Sequence, residues 1–114
     1  MKKLFSVLVF LLLINSIVQA QNELYQKKDF VSKGDTLHYR VLFPDNYDKG
    51  KSYPLVLFLH GAGERGNDNE KQLTHGAVLF SDVKTRTDYP AIVLFPQCPA
   101  NGYWVKLGEK IRVC

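Results

Sequence analysis

The sequence predicts an α/β fold in which neighbouring parallel strands are joined by a crossover helix. Three observations favour it: two continuously apolar runs that each follow a Tyr-Pro pair, about thirty residues between those runs, and an alternating hairpin pattern before them. Parallel neighbours need a connection of a dozen residues or more, and this spacing provides it. The composition, 46% apolar and 23% charged, is that of a globular protein.

The first segment is typical of a secretory signal peptide. Lys2 and Lys3 precede an uncharged apolar run that reaches Ile14, and residues 18–20 supply a cleavage site. Asn15-Ser16 interrupts the apolar run before it reaches the ~20 residues that a membrane-spanning helix needs, so the segment is less typical of a membrane anchor. We therefore expect a secreted or periplasmic protein with two segments, a signal peptide over 1–20 and a mature chain over 21–114.

The charge balance limits the partners. Without Lys2 and Lys3 the 15 basic residues fall to 13 against 11 acidic ones, a net charge near +2. A polybasic surface is therefore not indicated, and we expect no nucleic-acid partner and no membrane anchor after cleavage. Export would leave Cys98 and Cys114 either paired with each other or with cysteines elsewhere. No Cys/His cluster has zinc-ligand spacing, so we expect no metal and no cofactor.

The first predicted elements after the leader form an antiparallel hairpin. Residues 24–32 and 36–43 have strand-like patterns, and Ser32-Lys33-Gly34-Asp35 between them contains the glycine that a tight turn needs. Residues 44–52 are dense in turn formers and are predicted to be a surface loop.

Two central strands of a parallel sheet are predicted next. Residues 55–59 and 91–95 are continuously apolar, as strands covered on both faces should be. Pro54 and Pro90 hold the chain extended at the entry to each strand.

The predicted crossover helix begins near Asn67 or Asp68, where Asn67-Asp-Asn-Glu70 offers a capping side chain with a glutamate three residues on. Its buried stripe would contain Leu73, Ala77 and either Leu79 or Phe80. Gly76 weakens the helix by about 1 kcal/mol relative to alanine and favours a short or broken helix.

The segment His60-Gly61-Ala62-Gly63-Glu64-Arg65-Gly66 follows the first apolar strand directly. Ligands of an open parallel sheet bind beyond the carboxyl ends of its strands, where this turn would lie. Its glycines would let a substrate approach main-chain N–H groups. Acyl transfer uses such donors to stabilise the charged oxygen of the tetrahedral intermediate.

These motifs together resemble a known family. Residues 53–66, Gln72-Leu-Thr-His-Gly76 and Phe95-Pro-Gln-Cys-Pro99 followed by Trp104 are similar to secreted α/β-hydrolases described as phospholipase/carboxylesterase, dienelactone-hydrolase-like, or esterase and putative peptidase proteins. The resemblance covers about Leu37 to Trp104. It implies a serine hydrolase that acts on carboxylic esters, with the N-terminal part of an α/β-hydrolase fold in this chain.

The resemblance also implies residue roles. The backbone N–H of Ala62 would be one oxyanion donor, with Gly61 and Gly63 shaping the loop. The position of His60 would suit a catalytic residue, but a histidine at a buried strand end more often bonds neighbouring backbone, so His60 is expected to be structural support for the loop. Glu64, Arg65 and Trp104 would line the substrate site. For Glu64 and Arg65, a solvated pair that anchors the turn to Asp68 or Glu70 is an equal alternative. For Tyr103 and Trp104, covering the core is an equal alternative to lining a substrate cleft.

The remaining members of a catalytic triad are missing from the sequence. In such enzymes the nucleophile lies in a Gly-x-Ser-x-Gly turn, followed by an acid and a histidine. None of the five serines is flanked in that way, and the three histidines stand too early in the order. Cys98 without partners in recognisable order is expected to be buried or disulfide-bonded rather than nucleophilic. We therefore expect no nucleophile and no triad in this chain.

The missing elements predict an incomplete fold. A truncated gene product, a gene fragment or a frame-shifted end would explain it. The strand expected after residue 95 is missing, so 91–95 is predicted to be an unpaired apolar edge. Two functions remain. In the first, the chain is part of a secreted ester hydrolase and is inactive by itself, and the parent enzyme acts on an ester-containing small molecule or polysaccharide substituent. In the second, it is a non-catalytic secreted module that binds a saccharide or protein partner through residues 61–70, 103 and 104. The acyl group and the oligomeric state stay open.

Overall fold

A computed structural model of the chain describes residues 1–7, 9 and 22–105. The predicted signal peptide and its cleavage site therefore lie mostly outside the described residues, and so does Cys114. In the described part, no helix combines the length and the apolar character that crossing a membrane requires.

Four strands form one mixed sheet in the order β1-β2-β4-β3. The sheet contains an antiparallel hairpin, β1–β2, and a parallel pair, β3–β4, joined because β4 also runs antiparallel to β2. The predicted hairpin and the predicted parallel pair are both confirmed. The strands are β1 (Gln26–Ser32), β2 (Asp35–Leu42), β3 (Leu55–Leu57) and β4 (Ile92–Pro96).

The hairpin turn has the local chemistry that its register requires. Lys33 and Gly34 both have positive φ angles, 51° and 87°, as the central residues of a type I′ turn do. This turn matches the right-handed twist of the strands and places Ser32 opposite Asp35. Val41 and Leu42 at the far end of β2 are then brought into the sheet interior.

The strand order corrects the prediction that residues 91–95 form an unpaired edge. Tyr39–Leu42 of β2 pairs with one side of β4, and Leu55–Leu57 of β3 pairs with the other side. β4 is therefore a central strand, and β3 lies at the end of the four-stranded order. The prediction failed because it counted only parallel neighbours and did not include the hairpin as a partner of β4.

The crossover is made of short helical pieces rather than the helix predicted to begin near Asn67 or Asp68. A 3₁₀ turn (Lys71–Leu73) precedes two helices, α1 (Ala77–Ser81) and α2 (Val83–Asp88). Gly76 has a φ of 82° immediately before α1, in the left-handed region that a right-handed helix excludes. The side chain of Asp82 caps α2 by accepting a hydrogen bond from Thr85 N–H.

The core lies on one face of the sheet, beneath the crossover. Phe95 is fully buried and stacks on Phe58 at 4.7 Å between ring centroids, and Phe80 of α1 packs edge-on against both rings. Of the predicted stripe, Phe80 contacts the core whereas Leu79 is 62% exposed. The buried cluster consists of Tyr25, Leu42, Leu73, Ala77, Val93 and Phe95.

Tyr25 closes this core from the segment that precedes β1. Its hydroxyl donates a 2.7 Å hydrogen bond to the carbonyl of Ala77, and burial raises the pKa of the phenol well above its usual range despite the Arg86 charge, which lowers it. The phenol therefore stays neutral and acts as a donor. The bond ties the first turn of α1 to the start of the sheet.

The opposite face of the sheet is open. Leu55, Leu57 and Leu59 point there and are 64%, 58% and 49% exposed. The prediction that 55–59 is covered on both faces is therefore wrong for the described residues, which cover one face only. We call this surface the apolar face; its further members are Phe30, Leu37, Tyr39, Val41, Phe43, Ile92, Leu94 and Pro96.

Candidate functional site

The candidate site lies at the carboxyl ends of β3 and β4. After β3 the chain passes through Phe58 and His60 and then enters residues 61–66, which we call the glycine loop. Since β3 and β4 are parallel, Gln97 and Cys98 follow β4 at the same edge of the sheet. A depression of about 260 Å³ opens there, lined by His60, Gly61, Ala62, Arg65, Cys98, Tyr103 and Trp104.

Both ring nitrogens of His60 are occupied. Nε2 accepts a 2.9 Å hydrogen bond from the backbone N–H of Cys98, so the ring is neutral and its proton lies on Nδ1. Nδ1–H donates to the carbonyl of Gly61 over 2.6 Å. His60 as a whole residue is 6% exposed. With both nitrogens bonded to backbone, His60 holds the glycine loop against β4 and has no free atom for proton transfer.

Trp104 covers His60 from the outside. Its Nε1–H donates a 3.0 Å hydrogen bond to the carbonyl of His60, and the two rings meet edge to face at 5.0 Å between centroids. Trp104 is 37% exposed and lines the depression as well as one end of the apolar face. It therefore contributes both a wall and a support for the strand end.

The backbone of the glycine loop presents donors rather than side chains. Gly61 is extended, with φ −81° and ψ −176°, and residues 62–64 then form one 3₁₀ turn. The first N–H groups of such a turn have no partner within it. Within the described part of the chain, the N–H of Ala62 has no hydrogen-bond acceptor. The loop thus leaves a backbone donor free where the depression opens.

The two charged residues of the loop have different positions. Arg65 braces the loop, because its Nε donates to the carbonyl of Ala62 over 3.0 Å and its Nη1 donates to the carbonyl of Gly102 over 3.1 Å. The guanidinium also lies 5.0 Å from the centre of the Tyr103 ring. The Glu64 carboxylate turns instead toward His75, 3.4 Å from its Nε2. Neither side chain forms the ion pair or hydrogen bond with Asp68 or Glu70 that the alternative interpretation expected.

A buried amide network supports the loop from beneath. Gln97 is 1% exposed, and its Nε2–H₂ donates to the carbonyl of Glu64 over 3.2 Å and to Oδ1 of Asp68 over 2.7 Å. Its Oε1 accepts from the N–H of Asn69 over 2.7 Å. A side chain at Gly66 would come within 3.3 Å of the Gln97 amide nitrogen, so the glycine permits this close approach.

Asp68 is the ionised member of this network. Partial burial alone would raise the pKa of its carboxyl, but the Gln97 amide, the backbone N–H groups of Glu70 and Lys71 and the Lys71 ammonium together lower it to about 2. The carboxylate is therefore charged at neutral pH. It fixes residues 68–71 as a capped turn rather than as the start of a helix.

Arg40 extends the network into the sheet. It is 4% exposed, and its Nε donates to the carbonyl of Asn69 and its Nη1 to the carbonyl of Tyr25, each over 2.7 Å. Its Nη2 lies 2.7 Å from the Glu70 carboxylate, so the buried charge is both paired and hydrogen-bonded. β2 is thereby joined to the segment that follows the glycine loop.

Sequence reasoning missed Gln97, Asn69 and Arg40. The signal for Gln97 is a polar residue within Phe95-Pro-Gln-Cys-Pro99, a motif that was recognised without a role for this side chain. The signal for Asn69 is its residue type, because its φ of 53° is one that asparagine tolerates better than most residues. Arg40 carries no such signal, since a charged residue in a strand is expected to be exposed.

The site contains no nucleophile among its described lining residues. Cys98 is 2% exposed and forms no disulfide with any described residue, and its N–H and C=O are bonded to His60 and Gly66. Ser32 and Ser81 lie in β1 and α1, away from the loop. No group of three or more His, Cys, Asp or Glu residues is positioned to hold a metal ion within residues 1–7, 9 and 22–105. What the arrangement offers chemically is backbone donation to an anionic oxygen.

Comparisons with known proteins match part of the chain. No protein-family model matches it. A 31-residue stretch, 27% of the chain, is 52% identical to 4% of dipeptidyl-peptidase 5 from each of two strains of Aspergillus fumigatus. Among solved structures, a thermostable esterase superposes with a TM-score of 0.68 and 38% sequence identity over 75% of this chain. The chain spans 24% of that esterase.

Proposed function

Because the described residues form part of an α/β-hydrolase fold and the chain is hydrolase-like, we propose that it carries the oxyanion-loop portion of a secreted serine hydrolase that acts on carboxylic esters. The proposed catalytic contribution is one backbone donor, the N–H of Ala62. No Gly-x-Ser-x-Gly turn occurs among the 114 residues, so the proposal assigns no nucleophile, acid or catalytic histidine to this chain. We propose a secreted or periplasmic location because of the leader-like residues 1–20.

The observation that carries the proposal is the free N–H of Ala62 at the mouth of the depression. The donor lies in a loop whose backbone is fixed from three sides, by His60, by Arg65 and by Gln97. Preorganised donors of this kind stabilise a developing oxyanion without reorganisation during the reaction. The buried side chains of Gln97 and His60 are the supports that hold this surface loop, and with it the donor, in place.

The decisive experiment is a chimera. In the chimera, residues 37–104 of this chain replace the matching segment of the thermostable esterase. All other residues of the chimera come from that esterase. Ester hydrolysis by a soluble chimera, together with labelling by a fluorophosphonate probe, is the expected result. The 114-residue chain alone should hydrolyse no ester and take up no probe. A folded chimera without activity, or stoichiometric labelling of the chain alone, would contradict the proposal.

A second candidate function rests on the aromatic residues beside the loop. Tyr103 is 75% exposed and lies over Arg65, and Trp104 forms the adjacent wall. Exposed aromatic rings beside hydrogen-bonding backbone suit the binding of a saccharide or of a protein partner. Binding of soluble polysaccharides that is lost in Tyr103→Ala and kept in Tyr89→Ala, a residue 76% exposed at the far end of α2, would support this module instead.

A further inference from the structure

Asn101 is the one asparagine of the six in this sequence that directly precedes a glycine. It is exposed and lies in a tight turn after β4, which the N–H of Gly102 closes by donating to the carbonyl of Pro99 over 2.9 Å. A bond between Cγ of Asn101 and the nitrogen of Gly102 would close a five-membered ring. An electrophilic amide carbon and a backbone nitrogen are therefore within reach of each other at this turn.

The packing of the turn favours glycine at position 102. A Cβ there would lie 3.3 Å from Sγ of Cys98 and 3.3 Å from Cδ of Pro99, which is tighter than ordinary contact. Cys98 is buried, so its sulfur has little room to move. Glycine has no side chain to shield its nitrogen and adopts backbone conformations that other residues avoid. The residue that lets the turn pack thus also leaves the Asn101 amide open to attack.

The turn can open without disturbing the core. Pro99, Ala100 and Asn101 are all exposed, and they lie outside the helices and strands. Exposed turns of this kind open locally at a lower free energy than unfolding of the whole chain requires. Opening breaks the bond between Gly102 and Pro99 and lets water remove the proton of the Gly102 nitrogen. The turn hydrogen bond therefore slows the attack but does not prevent it.

We propose that Asn101-Gly102 is a site of spontaneous deamidation, and that the isoaspartate formed there loosens the glycine loop. The deprotonated Gly102 nitrogen bonds to Cγ of Asn101, the Cγ–Nδ2 bond breaks, and the amide nitrogen leaves as ammonia after taking up a proton. Water then opens the succinimide, giving isoaspartate when it attacks the main-chain carbonyl and aspartate when it attacks Cγ. Water is the sole co-reactant, and the reaction does not depend on the proposed hydrolase function.

The modification reaches the glycine loop through two hydrogen bonds. Nη1 of Arg65 donates to the carbonyl of Gly102 over 3.1 Å, and Nε1–H of Trp104 donates to the carbonyl of His60 over 3.0 Å. In isoaspartate the main chain runs through Cβ and Cγ, so it gains one methylene between position 101 and Gly102. The Gly102 carbonyl then moves away from Arg65, and Trp104 is displaced with it. The loop loses the support that it takes from residues 102–104.

The test incubates the full 114-residue chain at mildly alkaline pH, which increases the deprotonated fraction of the Gly102 nitrogen, while far-UV circular dichroism checks that it stays folded. Mass spectrometry of tryptic peptides follows Asn101 and, in the same digest, Asn46, an exposed asparagine that precedes tyrosine. Conversion at Asn101 should be at least ~10-fold faster than at Asn46, because glycine permits the backbone conformation of the attack.

Two further measurements identify the product and its effect. Isoaspartyl methyltransferase should methylate the incubated wild-type chain far more than Asn101→Gln, whose longer side chain cannot close the five-membered ring. Trp104 is the single tryptophan, so its fluorescence reports on this segment. Its emission should shift to longer wavelength in step with conversion, and the urea midpoint should fall. In Arg65→Ala, which lacks the bond to Gly102 from the start, conversion should lower the midpoint less.

Four results would overturn the proposal. In the first, Asn101 stays an amide in the folded chain and converts only once urea is added, so that the turn protects it. In the second, Asn101 converts no faster than Asn46. In the third, isoaspartate forms without a change in Trp104 fluorescence, and in the fourth, conversion lowers the urea midpoints of the wild-type chain and of Arg65→Ala equally. Either of the last two would separate the modification from the support of the loop.

Discussion

The backbone N–H of Cys98 donates a hydrogen bond to Nε2 of His60, joining the end of β4 to the first residue before the glycine loop over 2.9 Å. The bond connects positions 38 residues apart in the chain and is buried. Because the other ring nitrogen is bonded to the carbonyl of Gly61, His60 supports the loop and has no ring nitrogen free for catalysis. The geometry of the free Ala62 donor depends on this connection.

Replacing His60 by alanine should destabilise the chain. The substitution leaves the buried Cys98 N–H without an acceptor, which costs about 1–3 kcal/mol of unfolding free energy. Urea unfolding followed by far-UV circular dichroism measures the loss. His38→Ala is the control, because its bond to Asp29 lies at an exposed site and should contribute about 0–1 kcal/mol. Equal losses in the two variants would argue against a supporting role for His60.

Ala62→Pro should remove the proposed oxyanion donor while sparing the loop. The extended ψ of Gly61 suits a residue before proline, and proline is tolerated at the first position of a helical turn. In the active chimera, kcat should fall by about 10² to 10³ with little change in KM. Ala62→Ser keeps the N–H and should retain kcat within severalfold. A proline variant as active as the serine variant would exclude Ala62 as the donor.

The Asp68 carboxylate should make stability depend on acid pH. Its pKa is lowered from 3.8 to about 2 in the folded chain, so the stabilisation is complete above pH 4 and is lost as the pH falls toward 2. Urea midpoints measured between pH 5 and pH 2 should therefore fall more steeply for the wild-type chain than for Asp68→Asn. Parallel curves for the two proteins would show that Asp68 has an unperturbed pKa.

Gly76→Ala should be more damaging than Gly34→Ala. Both glycines have positive φ, 82° and 87°, so each alanine incurs about 1–2 kcal/mol of backbone strain. A Cβ at position 76 would also lie 2.7 Å from two ring carbons of Phe58, whereas position 34 is open. Displacement of Phe58 from its stack on Phe95 adds a further ~1–3 kcal/mol. Thermal unfolding that ranks the variants equally would contradict the contact.

The local elements of the fold were predictable from the sequence. Lys33-Gly34 marked the hairpin, and the apolar runs after Pro54 and Pro90 marked the parallel pair, because turn chemistry and strand periodicity act over a few residues. The structural neighbour bears out the α/β-hydrolase fold class. The helix start near Asn67 was wrong, since Asp68 forms its hydrogen bonds within a turn and Gly76 interrupts the helix beyond it.

The arrangement of elements was less predictable than the elements themselves. The central position of β4 depends on pairing between residues more than fifty positions apart, and an apolar strand shows no preference for one partner over another. The glycine loop could be located from its residues, whereas its support by Gln97 could not. A buried glutamine has no periodic signature, and its burial is possible only because three specific partners satisfy its amide.

The strand order also determines how long β3 lacks its partner strand while the chain is being synthesised. Residues 55–57 leave the ribosome 37 residues before their sheet partners, residues 92–94, so at ~5–20 residues per second β3 waits about two to seven seconds for β4. During that interval β3 has no neighbouring strand. Released chains truncated at residue 90 should therefore bind a chaperone that recognises apolar extended segments more tightly than the 114-residue chain, in which β3 is paired with β4.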